Sequence, residues 1–250
     1  MLLLSILAGF LIAMGGAAAN TAVYSLANTG LIRLISGLIF PFGLAIVALT
    51  GAELFTGNTL IAISVLSKQT TVGGLFKNWC VVYLGNAIGA VLAAAGCAFF
   101  GQMNYSAGEL AVFVMKQAAG KCAMPAGNAV VLGIFCNVLV TLGVLLSLCA
   151  KDLPGRVMGA YLPVAFFVIC GFEHCVANLF CVPAGLFAQQ VPSYAALAAE
   201  LGADLTALTW SNFFIHNLLP VTFGNIIGGV GVGSFFWACY GRAVKVIEKV

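Results

Sequence analysis

Charge is what this sequence most lacks. Of its 250 residues only 7% are Asp, Glu, Lys or Arg, where a soluble domain carries about 25%. So small a share excludes an ordinary water-facing surface, and a formal net charge of +3 supplies no basic stripe for a nucleic-acid partner. A basic flank is missing from the opening run "MLLLSILAGFLIAMGGAAAN". Its absence argues against a secretory leader, although "GGAAAN" has the small residues of a cleavage site. The chain enters its first helix at once, so a polar N-terminal extension is expected to have been trimmed or lost. No CxxC spacing occurs among the nine cysteines. Most lie in apolar runs and Cys122 at a helix start, so they read as small packing hydrophobes rather than as redox or metal groups. A Ser/His/Asp set, a two-histidine metal site and a nucleotide loop are missing too, which excludes the usual enzyme classes. Neither a cofactor nor a metal is expected.

What is abundant is hydrophobicity, at 62% of the residues. The few charges leave uncharged runs at 1–32, 34–52, 78–108, 122–150, 157–172, 175–199 and 205–241. A bilayer-spanning helix takes about 20 apolar residues. The sequence therefore predicts an all-α integral membrane protein, one transmembrane domain over residues 1–250, with six helices near 2–27, 35–67, 78–101, 126–149, 157–189 and 213–240. Lys68, Lys77, Lys151, Arg156, Arg242, Lys245 and Lys249 fall on the side of both termini, against Arg33, Lys116 and Lys121 on the other. The positive-inside rule then puts both ends in the cytoplasm. Glu109 and Lys116, in the amphipathic stretch 107–121, are expected on a solvated face. Residues 191–210 read as a short helix at the outer interface with Trp210 as its anchor.

The second and fifth helices are too long. Continuous helices over 34–67 and 157–189 would reach about 50 Å at ~1.5 Å per residue, against a hydrocarbon core of about 30 Å. Something non-helical must interrupt each, and "GAELFTGNT" at 51–59 and "GFEHCVANL" at 171–179 are the candidates. Both open on Gly and carry Glu two residues later, downstream of Pro41 and Pro163. "GNAIGAV" at 85–91 and "GNIIGGV" at 224–230 echo each other in the third helix of each half. Three helices per half force the two repeats, about 1–103 and 122–241, to cross in opposite senses. Inverted repeats with paired broken helices place a permeation site near the midplane.

"GAELFTGNTL", "KNWCVVYLGNAIGA", "GFEHCVANLFCVP" and "NLLPVTFGNIIGG", in this order over nearly the whole chain, resemble the formate/nitrite transporter family of small monovalent-anion channels. The resemblance implies an aquaporin-like six-helix protomer with broken helices two and five, assembled as a homopentamer with one pore per protomer. It implies that His174 is the central pore histidine and that Thr56 faces it. Lys121 would bring positive charge from the outer side, and Asn137 would be a polar partner of the central region. Phe40 and Phe167 would form the outer constriction, with Leu44, Leu54 and Phe55 as further apolar gates, the last two toward the cytoplasm. Glu53, Glu173 and Asn178 would be structural at the helix breaks. The amphipathic helix that usually precedes helix one in the family is absent, which leaves gating by that helix undecided.

The residues argue the chemistry in parallel. A bare anion crosses apolar constrictions at far greater desolvation cost than a neutral acid does. Histidine, with an unperturbed pKa of about 6.5, can serve either as a fixed counter-charge or as a proton donor that turns formate into formic acid. Glu53 and Glu173 read as acceptors for backbone amides freed at the breaks, and Thr56 as a cap of the second half of helix two. His216 reads as an interfacial or vestibule residue. The expectation is a channel, not an enzyme, for small monovalent weak-acid anions in the inner (cytoplasmic) membrane. Formate leads, with nitrite, hydrosulfide and lactate-like anions open. An aquaporin-like neutral-solute pore is the alternative, but neither break carries Asn-Pro-Ala.

Overall fold

The computed structural model describes the backbone of residues 1–247 and side chains through residue 241. Lys249, with the side chains of Arg242 and Lys245 that enter the orientation expectation, lies outside the described residues. In chain order the helices begin with α1 (Leu2–Val23), α2 (Thr29–Ile39), α3 (Phe42–Thr50), α4 (Phe55–Asn58), α5 (Ile61–Leu66) and α6 (Val72–Phe99). After α7 (Glu109–Cys122), which lies between the halves, come α8 (Ala126–Cys149), α9 (Leu153–Cys170), α10 (Cys175–Ala188), α11 (Pro192–Glu200), α12 (Trp210–Asn212) and α13 (Leu219–Ile247). A π-helical stretch, Phe213–Leu218, joins α12 to α13. No strand occurs among the described residues. Among the described residues six helical spans are long and apolar enough to cross a membrane, with α2 and α3 counted as one span, Thr29–Thr50.

The expected span 126–149 is observed unchanged. Three others start earlier than expected, and each start is fixed by a polar cap that a charge-free criterion passes over. Asn28 accepts the Leu31 amide at 3.0 Å, Thr71 accepts the Gly74 amide at 3.0 Å and Asp152 accepts the Gly155 amide at 2.6 Å. Side-chain acceptors at this position satisfy donors that the first helical turn leaves open.

Two long helix pairs frame the molecule, α1 against α6 and α8 against α13. Glycine permits both. A Cβ at Gly89 would run into the Ile6 carbonyl, and one at Gly228 into the Ile134 carbonyl. Where lipid leaves no hydrophobic force between helices, such close backbone approach supplies the packing. Large apolar side chains such as Leu92, Leu148, Phe166 and Phe235 are exposed, as a chain solvated by lipid requires. Held between the two frames are the interrupted crossings, α2–α5 and α9–α10. On one face the chain folds back after α6, and α7 packs against α10. Glu109 and Lys116 are exposed there, as expected, while the other face of α7 is buried. Over 191–210 the expected helix is confined to α11, and Trp210 packs against Phe187, Phe213 and Phe214.

Candidate pore and anion site

Both long crossings break at the expected glycines. Gly51 (φ 68°) ends α3 and Gly171 (φ 73°) ends α9, each in the left-handed conformation that glycine adopts without steric cost. The chain then leaves helix for three residues, extended at Leu54 and at His174, and re-enters helix at Phe55 and at Cys175.

Extended backbone at this depth needs partners, and asparagine from the echoed motif provides them. Asn86 Oδ1 accepts the Phe55 amide at 2.9 Å, and its Nδ2 donates to the Ser5 and Glu53 carbonyls at 2.8 and 2.9 Å. Asn225 repeats the clamp in the other half. Its Oδ1 accepts the Cys175 amide at 2.9 Å, and its Nδ2 donates to the Gly133 and Glu173 carbonyls at 2.8 and 2.9 Å. Both asparagines are fully buried.

The two glutamates take side-chain donors rather than the backbone amides expected for them. Glu53 accepts from Asn58 Nδ2 at 2.6 Å, and that amide also donates to Asn78 at 2.9 Å. Glu173 accepts from Asn178 Nδ2 at 2.7 Å, and that amide also donates to Asn217 at 2.7 Å. Here the halves part. Glu173 gains Lys121, whose Nζ lies 2.7 Å from Oε1 with side-chain exposures of 18% and 5%. Among the described residues Glu53 has no ion-pair partner.

His174 is the N-cap residue of α10. Its Nδ1 accepts the Ala177 amide at 3.1 Å, and its Nε2 lies 2.9 Å from Thr56 Oγ1. A backbone amide can only donate, so Nδ1 carries a lone pair and the neutral ring keeps its hydrogen on Nε2, directed at Thr56. Thr56 therefore bonds the histidine; α4 is not capped by its side chain, since Leu54 holds the N-cap position. Asn137 is behind this pair, donating to the Thr59 hydroxyl at 3.2 Å and the Asn225 carbonyl at 2.7 Å. It lines neither cavity described next.

A cavity of about 650 Å³ opens on the Lys121 face and reaches down to His174. Arg33, Lys116 and Lys121 line it, three cations against the single carboxylate of Glu173. At its floor Phe40 and Phe167 meet edge to face, ring centroids 5.9 Å apart, and Phe167 stacks on His174 at 5.9 Å. Beyond lies a second cavity of about 10 Å³, lined by Ile12, Phe40, Leu44, Leu54, Val140, Val164, Phe167 and His174. That is about the room of one water. His174 is the only polar side chain lining it and also lines the larger cavity. Apart from His174, the chamber is walled by apolar side chains.

The structure thus brings His174, Thr56, Lys121, Glu173, Phe40, Phe167, Leu44 and Leu54 to one place. Phe55 turns instead toward Trp79 and Tyr83, at 6.0 and 4.7 Å, and lines neither cavity. His216 is exposed on the π-helical stretch. Sequence reasoning missed the Asn86 and Asn225 clamps and the Asn78 and Asn217 supports. The signal was present in the Gly-Asn-x-Ile-Gly echo, which marked a repeat without saying what its asparagine does.

The family model for the formate/nitrite transporter matches residues 1–238. A relative from Methanothermobacter thermautotrophicus, named a probable formate transporter, is 35% identical over 96% of this chain and 88% of its own length. The formate channel FocA of Escherichia coli strain K12 is 37% identical over 85% of this chain and 76% of its own. Among solved structures, a pentameric formate channel with formate bound superposes with a TM-score of 0.83 at 36% identity, covering 96% of both chains. An ion channel of the same family superposes at 0.80, with 25% identity, over 94% of this chain and 88% of its own.

Proposed function

The chain belongs to the formate/nitrite transporter family, and we propose that it conducts formate, and small monovalent weak-acid anions like it, through a pore centred on His174. The observation that carries this reading is the meeting of two cavities at one histidine. A wide, cation-lined cavity narrows at Phe40 and Phe167 to a chamber with no charged group. Three cations raise the local anion concentration at the mouth. The chamber then discriminates by charge, because an ion stripped of water costs several kcal/mol more than its neutral acid, on the order of 20 kcal/mol in the idealised limit.

His174 supplies the step between them. As a counter-charge, or as the donor that passes its Nε2 proton to a formate oxygen, the ring must first be doubly protonated. Nδ1 then carries hydrogen and releases the Ala177 amide. After donation to formate the ring is neutral, formic acid passes the Phe and Leu side chains, and the cap re-forms once the remaining proton moves to Nε2. Either role therefore couples anion passage to loosening of the first turn of α10. Those apolar side chains also have to move, since the chamber holds no more than about one water.

The pentameric state of the formate-bound neighbour supports assembly of this chain as a homopentamer, each protomer acting as one channel domain. The distribution of basic residues supports both termini on the cytoplasmic side, with the inner membrane as the proposed location. The cation-lined cavity favours an anion path over a neutral-solute pore, and nitrite or hydrosulfide is the second substrate reading. Flux of formate, nitrite and hydrosulfide into proteoliposomes across pH 5 to 8, for the wild type and His174→Ala, tests the proposal. We expect formate flux that rises as pH falls and collapses in the variant. Flux that survives with its pH profile intact would reduce the histidine to scaffold.

A further inference from the structure

Besides the ion pair between Lys121 and Glu173, the large cavity holds groups without a partner among the described residues: the Lys116 ammonium, the Gln117 Oε1, Arg33 and Asn20. Arg33, on α2, lays its guanidinium across the break in the other crossing. A Cβ built on Gly171 would stand 2.8 Å from one terminal nitrogen, 3.2 Å from the other and 3.1 Å from the central carbon. The group is thus held flat against glycine backbone, a position only a residue without a side chain leaves open. Among the described residues it has neither a hydrogen bond nor an ion-pair partner. Asn20, on α1, lines the same cavity and is only 6% exposed, yet its Nδ2 has no acceptor among the described residues. An unsatisfied buried amide is costly, and it points to a ligand that brings an acceptor.

We propose that Arg33 and Asn20 form a recognition subsite for planar anions with two adjacent oxygens, above and separate from the constriction at His174. The inference rests on the anion-channel reading and adds a basis for substrate choice to it. A guanidinium offers parallel N–H donors at the spacing of a carboxylate or nitrite, whereas a lysine ammonium acts as a point charge. The Asn20 amide supplies a further donor in the lining of the same cavity. Hydrosulfide has one heavy atom and offers no second acceptor, so the two N–H donors can only converge on one centre. It is attracted by the charge of Arg33 and gains less from its shape. The subsite therefore favours formate, nitrite and short carboxylates over single-centre anions before dehydration begins at Phe40 and Phe167.

Concentration-dependent uptake of formate and of hydrosulfide by proteoliposomes, for the wild type, Arg33→Lys and Asn20→Leu, tests this. With the charge kept and the fork lost, Arg33→Lys should raise the half-saturating formate concentration by about tenfold, the scale of one bidentate contact. Asn20→Leu should raise it by a few-fold, and hydrosulfide uptake should stay within about twofold in both variants. An equal loss for both anions would mean that Arg33 acts by charge alone, and an unmoved half-saturation for formate would mean that it does not touch substrate. Either result overturns the subsite. A wild type that conducts neither anion would instead overturn the channel reading itself. Arg33 is exposed and Asn20 buried on a separate helix, so failure of one variant to assemble leaves the other to decide.

Discussion

Removing Lys121 should destabilise the protein more than removing both members of its ion pair. Glu173 is 5% exposed, and its carboxylate takes Lys121 at 2.7 Å, with Asn178 at 2.7 Å and Asn217 at 3.3 Å as neutral donors. Lys121→Met leaves that charge with amides alone. Breaking a buried pair from one side costs roughly 3–5 kcal/mol, and the 18% exposure of Lys121 places the expected cost at the lower end, about 3 kcal/mol. Glu173→Gln strands an ammonium that still reaches water, and about 2 kcal/mol is expected. The double variant strands neither charge and keeps acceptors for both asparagines, so about 1 kcal/mol is expected. The cycle then gives a favourable coupling of about 4 kcal/mol. Thermal unfolding of the detergent-solubilised protein reads it out. At about 2–4 °C per kcal/mol for a chain of this size, Lys121→Met should lower Tm by roughly 6–12 °C, with more than half recovered in the double variant. Additive shifts, or single variants within about 1 °C of wild type, would refute the argument that the break after Gly171 is held by charge.

The asparagine clamps should be equivalent: Asn86→Leu and Asn225→Leu each lose three hydrogen bonds and strand a buried amide, about 3 kcal/mol apiece, and unequal Tm shifts would break the proposed symmetry of the halves. At the frames, Gly89→Ala collides with the Ile6 carbonyl and should cost about 1–3 kcal/mol or more. Gly96→Ala meets nothing within 4 Å and should stabilise by about 0.4–1 kcal/mol; matched yields and Tm values for the two would count against close backbone packing. Phe167→Ala joins the two cavities, so formate flux should rise and its pH dependence flatten, as followed by proteoliposome uptake between pH 5 and 8. A slower variant with an unchanged pH profile would show that Phe167 does not bar the anion.

The class, the helix count and the two breaks were legible because each leaves a mark that composition and length can register. Scarce charge requires lipid as solvent. Spans of some 50 Å cannot fit a hydrocarbon core of about 30 Å without an interruption. Glycine two residues before glutamate marked where each chain turns, and φ values of 68° and 73° at Gly51 and Gly171 give the reason. The internal symmetry was legible for the same cause, since both halves meet one backbone problem and answer it with one asparagine. Helix starts were not, because caps such as Asn28 and Asp152 are single polar residues in stretches that a hydropathy argument discards. What breaks the symmetry was legible least. Glu53 and Glu173 sit in matching motifs and accept from matching asparagines, yet only Glu173 has a cation beside it among the described residues. That cation comes from α7, between the halves, where no repeat marks it. The pore asymmetry follows from the same insertion. α7 brings Lys116 and Lys121 to the face where Arg33 already stands, and the large cavity opens among these three cations. An inverted repeat alone would give two like ends; the segment outside the repeat lines the cavity at one of them with lysines.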